Sequence, residues 1–139
     1  MKVVALAKVR NQHERDLEKT CVAWFKQTYA INVALIAKSL NGEYMTKGQR
    51  VNAINSGMLV GDTDLTIYTR KASTIKIELK APTPKKISSK TGKIINGKGG
   101  GTLEPSQKII HKELLSFGFL VFVVDNLTDF KQICKMTIF

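Results

Sequence analysis

The sequence predicts an α/β fold: a mixed central sheet of about four strands with helices on both faces. Three observations predict it. Two short segments, TDLTIYT at 63–69 and TIKIELK at 74–80, alternate apolar and polar residues at a period of two. Longer segments on either side carry apolar residues at helical spacing. A continuous apolar run, FLVFVV at 119–124, reads as a buried strand.

Taken in order, residues 12–29 read as a helix with Leu17, Cys21, Trp24, Phe25 and Thr28 on one arc. Residues 31–40 read as a strand ending at the turn signal Asn41-Gly42. A second helix over 46–57 stops at Gly57. In the strand at 74–80, Ile75, Ile77 and Leu79 point one way, and Lys76, Glu78 and Lys80 the other. A helix over 104–117 has Pro105 in its first turn. A last helix spans roughly 127–135. Between 83 and 102 the composition shifts to Lys, Gly and Ser, which cannot build a core. A mobile loop or an exposed hairpin is expected there, either as a solvated connection or as an electrostatic arm for a phosphate backbone.

The 139 residues suit one domain, 1–139, without internal repeats. No apolar run is long enough to cross a membrane, and Val3–Ala7 is too short for a secretory signal. Cys21 and Cys134 form no CxxC and, with His13 and His111, no zinc spacing. They are expected as free packed thiols in a reducing compartment, and the protein as cytoplasmic. The 22 basic and 11 acidic residues leave a net charge of +11, an attraction for polyanions. Charge alone does not separate DNA, RNA and anionic membrane, but the lack of a basic amphipathic anchor argues against membrane.

The chemistry concentrates on the two alternating strands. Asp64 opens one; Glu78 and Lys80 lie two residues apart on the next, on one face. Cleaving a phosphodiester calls for a divalent cation to neutralise the phosphate and acidify a water. Oxygen ligands suit Mg²⁺ or Mn²⁺, and one or two carboxylates suffice. Asp64 and Glu78 would supply them, with the Leu79 carbonyl as a third oxygen and Lys80 beside the attacking water. Taken alone, E-x-K is also what a surface ion pair looks like. Glu14 falls near the middle of the first helix's apolar arc, where a carboxylate is costly unless paired or bound to a cation. Gln107 falls likewise among Leu103, Ile110 and Leu114, with His111 one turn on. The plainer alternative for Glu14 and Gln107 is a polar group near a helix start, reaching water.

The strings GMLVGDTDLTIY, IKIELKAP and LEPSQKIIHKELLSFGFLVFVV, with ERDLE at 14–18, resemble the VRR-NUC branch of the PD-(D/E)XK nucleases over roughly residues 14–125. The resemblance implies a restriction-endonuclease-like fold and Mg²⁺- or Mn²⁺-dependent hydrolysis of DNA. It implies Asp64 and Glu78 as metal ligands, Lys80 as the catalytic lysine, and Glu14 and Gln107 as supporting residues of that metal site. Asn41-Gly42 and Arg50 correspond loosely to the family's Asn-Gly and downstream Arg, and Arg50 joins Lys85, Lys86, Lys90, Lys93 and Lys98 as candidate DNA contacts. Thr63 stands where the family usually has Pro, and the 83–102 loop is longer than the compact pattern needs. The compact form is similar to standalone phage or bacterial members, some of which act as homodimers on branched DNA. A non-cleaving nucleic-acid-binding module of the same fold and a basic protein-interaction module are the two other readings of this sequence.

Overall fold

The computed structural model of the chain describes residues 2–41, 43–82, 85–96 and 101–139, and of residues 2–11, 85–86 and 95–96 the backbone alone. Ten elements follow one another: helix α1 (Lys2–Thr28), strand β1 (Ala34–Lys38), helix α2 (Lys47–Asn55), strands β2 (Leu65–Thr69), β3 (Thr74–Leu79), β4 (Lys85–Ile87) and β5 (Ile94–Asn96), helix α3 (Pro105–Ser116), strand β6 (Leu120–Val124) and helix α4 (Leu127–Thr137).

Four strands form a mixed sheet in the order β1-β2-β3-β6. β1 and β3 both run antiparallel to β2, while β6 runs parallel to β3. A parallel neighbour cannot be reached by a tight turn, so the chain crosses over through α3. Alternation then sorts the side chains. Leu65, Ile67, Ile75, Ile77 and Leu79 are all buried and pack with Cys21, Phe25, Phe130 and Cys134 of α1 and α4. The opposite face carries Thr66, Lys76, Glu78 and Lys80, and α3 lies over part of it through His111 and Gln107. The sheet is therefore flanked by helices on both faces.

Several boundaries differ from those expected. α1 begins at Lys2, so Glu14 lies well inside the helix and owes its position to the face it occupies, not to a helix start. Thr28 is exposed and bonds back to the Trp24 carbonyl; Tyr29 takes its place in the core. Residues 31–33 turn before β1, which is shorter than the expected 31–40. β6 is not the fully buried strand its composition suggested. It ends the sheet, and of its residues only Val124 is buried. The lysine face of β3, by contrast, is buried, because α3 covers it: Lys76, Glu78 and Lys80 are each less than a tenth exposed.

Other expectations hold closely. α2 starts at a capping box between Thr46 and Gln49, and Gly57 follows its end with a positive φ. α3 carries Pro105 at its start. Part of the 83–102 segment is an exposed antiparallel hairpin, β4 paired with β5. Cys21 and Cys134 are free thiols whose burial pushes both up to about 12, so they stay protonated and serve as packing. Among the described residues no helix is long and apolar enough to cross a membrane.

Candidate active site

The pairing of β2 with β3 sets Leu65 opposite Ile77, which brings the start of β2 to the end of β3. Asp64, just before β2, accepts the Leu79 backbone N–H on Oδ2 at 2.7 Å. Its carboxylate thus lies against the strand that carries Glu78. A register slip of one residue would send Glu78 and Lys80 to the core face, where Leu79 now sits.

Gln107, in the first turn of α3, ties this strand to the helix. Its Oε1 accepts the Glu104 backbone N–H at 2.9 Å, closing the helix start in the manner of a capping box. The same oxygen accepts Lys80 Nζ at 3.1 Å, and Gln107 Nε2 donates to Glu78 Oε1 at 2.6 Å. Lys80 Nζ also stands 3.2 Å from Glu78 Oε1. One amide therefore fixes the carboxylate and the ammonium relative to each other.

Glu14 reaches in from α1, its Oε1 accepting the Ala81 backbone N–H at 3.2 Å. Gly101, at the end of the basic segment, bonds its N–H to the Ala81 carbonyl at 3.0 Å. A Cβ at Gly101 would lie 2.9 Å from Glu14 Oε1 and 3.1 Å from Lys80 Cβ, so the close approach depends on glycine. Gly61 is a second such point. Its φ is +92°, and a Cβ there would meet the Ser106 carbonyl oxygen at 2.5 Å. Gly61 thus lets the loop before β2 lie on the first turn of α3.

Residues that the sequence reading left without a role complete the surroundings. Lys76 Nζ is held by Asp62 Oδ1 at 2.9 Å and by Thr66 Oγ1 at 2.6 Å. This pairing keeps a third charge of β3 away from the Glu78–Lys80 pair. The Asp-x-Asp spacing of Asp62 and Asp64 is its trace in the sequence. His111, one turn beyond Gln107, is buried with Nε2 3.8 Å from Glu78 Oε2. The sequence reading notes it one turn after Gln107 on the same helix face, without a role.

The electrostatics follow from this crowding. Burial pushes Glu78 from 4.5 up to about 7, reinforced by the nearby Asp64 charge and opposed by Lys80. Burial likewise pushes Asp64 from 3.8 up to about 6, opposed by the Leu79 N–H and by Lys80. His111 is held below its ordinary value, first by burial and then by the positive charge of Lys80. Two carboxyls that resist ionisation side by side are what a cation would relieve.

No protein-family model matches the chain, and neither a curated protein nor a solved structure was found to match it. The site is thus judged on its own donors. Among the described residues no group of three or more His, Cys, Asp or Glu side chains is arranged to hold a metal ion. The carboxylates converge as a pair, Asp64 and Glu78, with Glu14 engaged on the backbone of Ala81. Such a pair fits Mg²⁺ or Mn²⁺, which are commonly held by one or two carboxylates together with water and substrate phosphate. The sequence reading takes the Leu79 carbonyl as a third ligand oxygen; the contact observed at Leu79 is its N–H, donated to Asp64 Oδ2.

The candidate DNA contacts are less concentrated. Arg50 is exposed on α2 and lines a cleft of about 150 Å³ with Asn41, Asp62, Glu104, Ser106 and Gln107. Lys90 and Lys93 are exposed in the β4–β5 turn. Lys85 and Lys86 contribute the backbone of β4, and Lys98 lies outside the described residues. A larger groove of about 540 Å³ between α1 and β1 has a mostly apolar lining and holds none of Asp64, Glu78, Lys80 and Gln107.

Proposed function

We propose that the chain is a Mg²⁺- or Mn²⁺-dependent nuclease of the VRR-NUC branch of the PD-(D/E)XK class, hydrolysing DNA phosphodiester bonds. One observation carries the reading. Asp64, Glu78, Lys80, Gln107 and Glu14, chosen from sequence and drawn from α1, the start of β2, the end of β3 and α3, meet around the end of β3 through contacts of 2.6–3.2 Å to its side chains and backbone. A scatter of surface charges has no reason to converge in this way.

When bound, the divalent cation supplies charge neutralisation at the phosphate and a more acidic water. The chain's own residues do the rest. Asp64 and Glu78 present the anionic oxygens, one anchored by the Leu79 N–H and the other by Gln107. Lys80 holds a positive charge at a fixed place within reach of both Glu78 and Gln107. A preorganised ammonium in a poorly solvated cleft stabilises charge that develops on the phosphate, without reorganisation at the moment of reaction. Glu14 holds the Ala81 N–H and so steadies the strand end from which Lys80 projects. The net charge of +11 brings the DNA in.

The test is a set of labelled duplex, nicked, flap and junction DNAs incubated with Mg²⁺, Mn²⁺ or chelator. Cleavage with either cation, absent with chelator and absent in Asp64→Asn, is the expected result. Metal-independent DNA binding without cleavage of any substrate would replace this reading with that of a binding module.

A further inference from the structure

Glu78 Oε2 and His111 Nε2 are both fully buried, and neither has a hydrogen-bond partner among the described residues. They face each other at 3.8 Å, with side chains 2% and 7% exposed. An unsatisfied buried polar atom costs about 1–3 kcal/mol, so two complementary ones do not end up facing each other by chance packing. The two oxygens of Glu78 have different surroundings. Oε1 is shared by Gln107 Nε2 and Lys80 Nζ, on the side of the cleft. Oε2 faces His111, one turn further along α3. The two contacts at Oε1 restrain the carboxylate from one side, and its last torsion, broad for Glu, keeps some freedom while Oε2 has no donor. A donor behind Oε2 removes that freedom.

We propose that His111 is a positioning residue for Glu78: its Nε2–H is the donor for Oε2, so that Oε1 stays the oxygen presented to the cleft. A small rotation of either side chain shortens 3.8 Å to hydrogen-bond length. The imidazole must then carry its neutral-form proton on Nε2. In the nuclease proposed above, this contact fixes a carboxylate that serves the metal, the kind of support whose loss commonly weakens metal affinity about 10- to 100-fold. His111 reaches neither substrate nor cation; it acts through Glu78.

Two measurements test this, one of them independent of metal. The chain has two histidines, His13 and His111, so long-range ¹H–¹⁵N correlation spectra of the metal-free protein at pH 8 are readily assigned with a His13→Gln variant. The Nε2–H tautomer is expected for His111; the Nδ1–H tautomer would overturn the proposal, whatever the protein's activity. The second measurement compares His111→Gln with His111→Met, two side chains of similar length of which only Gln keeps a donor. Calorimetric Mn²⁺ titration should show His111→Met weakened about 10- to 100-fold and His111→Gln within about threefold of wild type, a recovery that packing alone would not give. Met and Gln variants with equal Mn²⁺ affinity would sink the role of the donor. If His111→Met fails to fold, the tautomer decides alone. Wild-type protein that binds no Mn²⁺ would defeat the nuclease reading and leave the tautomer result to stand by itself.

Discussion

Gln107 donates its side-chain amide to Glu78 Oε1 across 2.6 Å, joining the first turn of α3 to the middle of the sheet. Its carbonyl oxygen meanwhile takes both the Glu104 N–H and Lys80 Nζ. A residue that would ordinarily only cap a helix thereby braces the ion pair of Glu78 with Lys80. Gln107→Ala removes all three bonds and leaves Glu78 and Lys80 held only by their own 3.2 Å ion pair. The helix start loses about 1 kcal/mol, as for other caps. The larger effect is on the site, where cleavage under single-turnover conditions should fall about tenfold to a hundredfold, or about 1.4–2.7 kcal/mol of barrier. DNA affinity in chelator should stay within about twofold, since Gln107 carries no charge. An equal drop in affinity and rate would show that Gln107 touches DNA directly.

The raised carboxyls give the metal-free protein a pH dependence of definite sign. Asp64 and Glu78 are pushed up to about 6 and about 7. From about pH 4 to pH 7 the folded chain therefore holds more protons at these groups than the unfolded chain, and their contribution to stability falls as pH rises. Below the unfolded values the contribution is full; above about pH 7 it is gone. Glu78→Gln mimics the protonated acid. In chelator its melting temperature should match wild type near pH 4 and exceed it by several degrees at pH 8, at about 3 °C per kcal/mol for a chain of this size. Adding Mn²⁺ at pH 8 should raise the melting temperature of wild type and leave that of Glu78→Gln unchanged. Parallel melting curves for the two proteins across this range would mean that Glu78 is not held against ionisation.

Lys80 should act on rate more than on binding. Its ammonium is already engaged by Glu78 and Gln107, so it is a poor free phosphate contact but a well-fixed positive charge. In the proposed nuclease, Lys80→Ala removes a positive charge that would face the reacting phosphate. The saturated cleavage rate should drop about 10²–10³-fold, as for loss of one preorganised donor, while DNA affinity changes about twofold or less. A matched loss in both would make Lys80 a phosphate clamp.

How much of this was legible depends on which interactions are local. The alternation in TIKIELK fixed the two faces of β3, because the period of two is a property of the strand itself. Pro105 announced the start of α3, and Gln107 fell on its inward face by helical arithmetic. Glu14 was found by the same arithmetic even though α1 starts ten residues earlier than expected, since facing survives an error in the boundary. Partnerships across the sheet were another matter. Nothing in the local pattern says that Lys76 meets Asp62 or that His111 faces Glu78; register and helix docking decide both. β6 was misjudged because an apolar run has no mark for an edge position. The convergence of Asp64, Glu78, Lys80, Gln107 and Glu14 was expected as a set, while the Gln107 bridge between Glu78 and Lys80 depends on how α3 docks on the sheet.

The basic segment between β3 and α3 should supply affinity without chemistry. It leaves the sheet just after Lys80 and Ala81 and returns at Gly101, which is bonded to Ala81, so both of its ends lie beside the site. Between them stand Lys85, Lys86, Lys90, Lys93 and Lys98 with no acidic residue. Lys90 and Lys93 are exposed at the tip of the β4–β5 hairpin, apart from the contacts that hold Glu78 and Lys80. Each lysine that meets a phosphate releases counterions, which makes binding fall steeply with salt. Replacing all five lysines with Ser should weaken binding and flatten its salt dependence by roughly one unit of log–log slope per lost contact. Metal-dependent cleavage at saturating DNA should remain within about twofold of wild type, because Asp64, Glu78 and Gln107 keep their contacts. Salt titrations of binding, run beside single-turnover rates for both proteins, separate the outcomes. An unchanged slope would make the hairpin a solvated connection. A collapse of the saturated rate would show instead that it positions the scissile phosphate, since only a group engaged in the transition state can lower the rate once binding is complete.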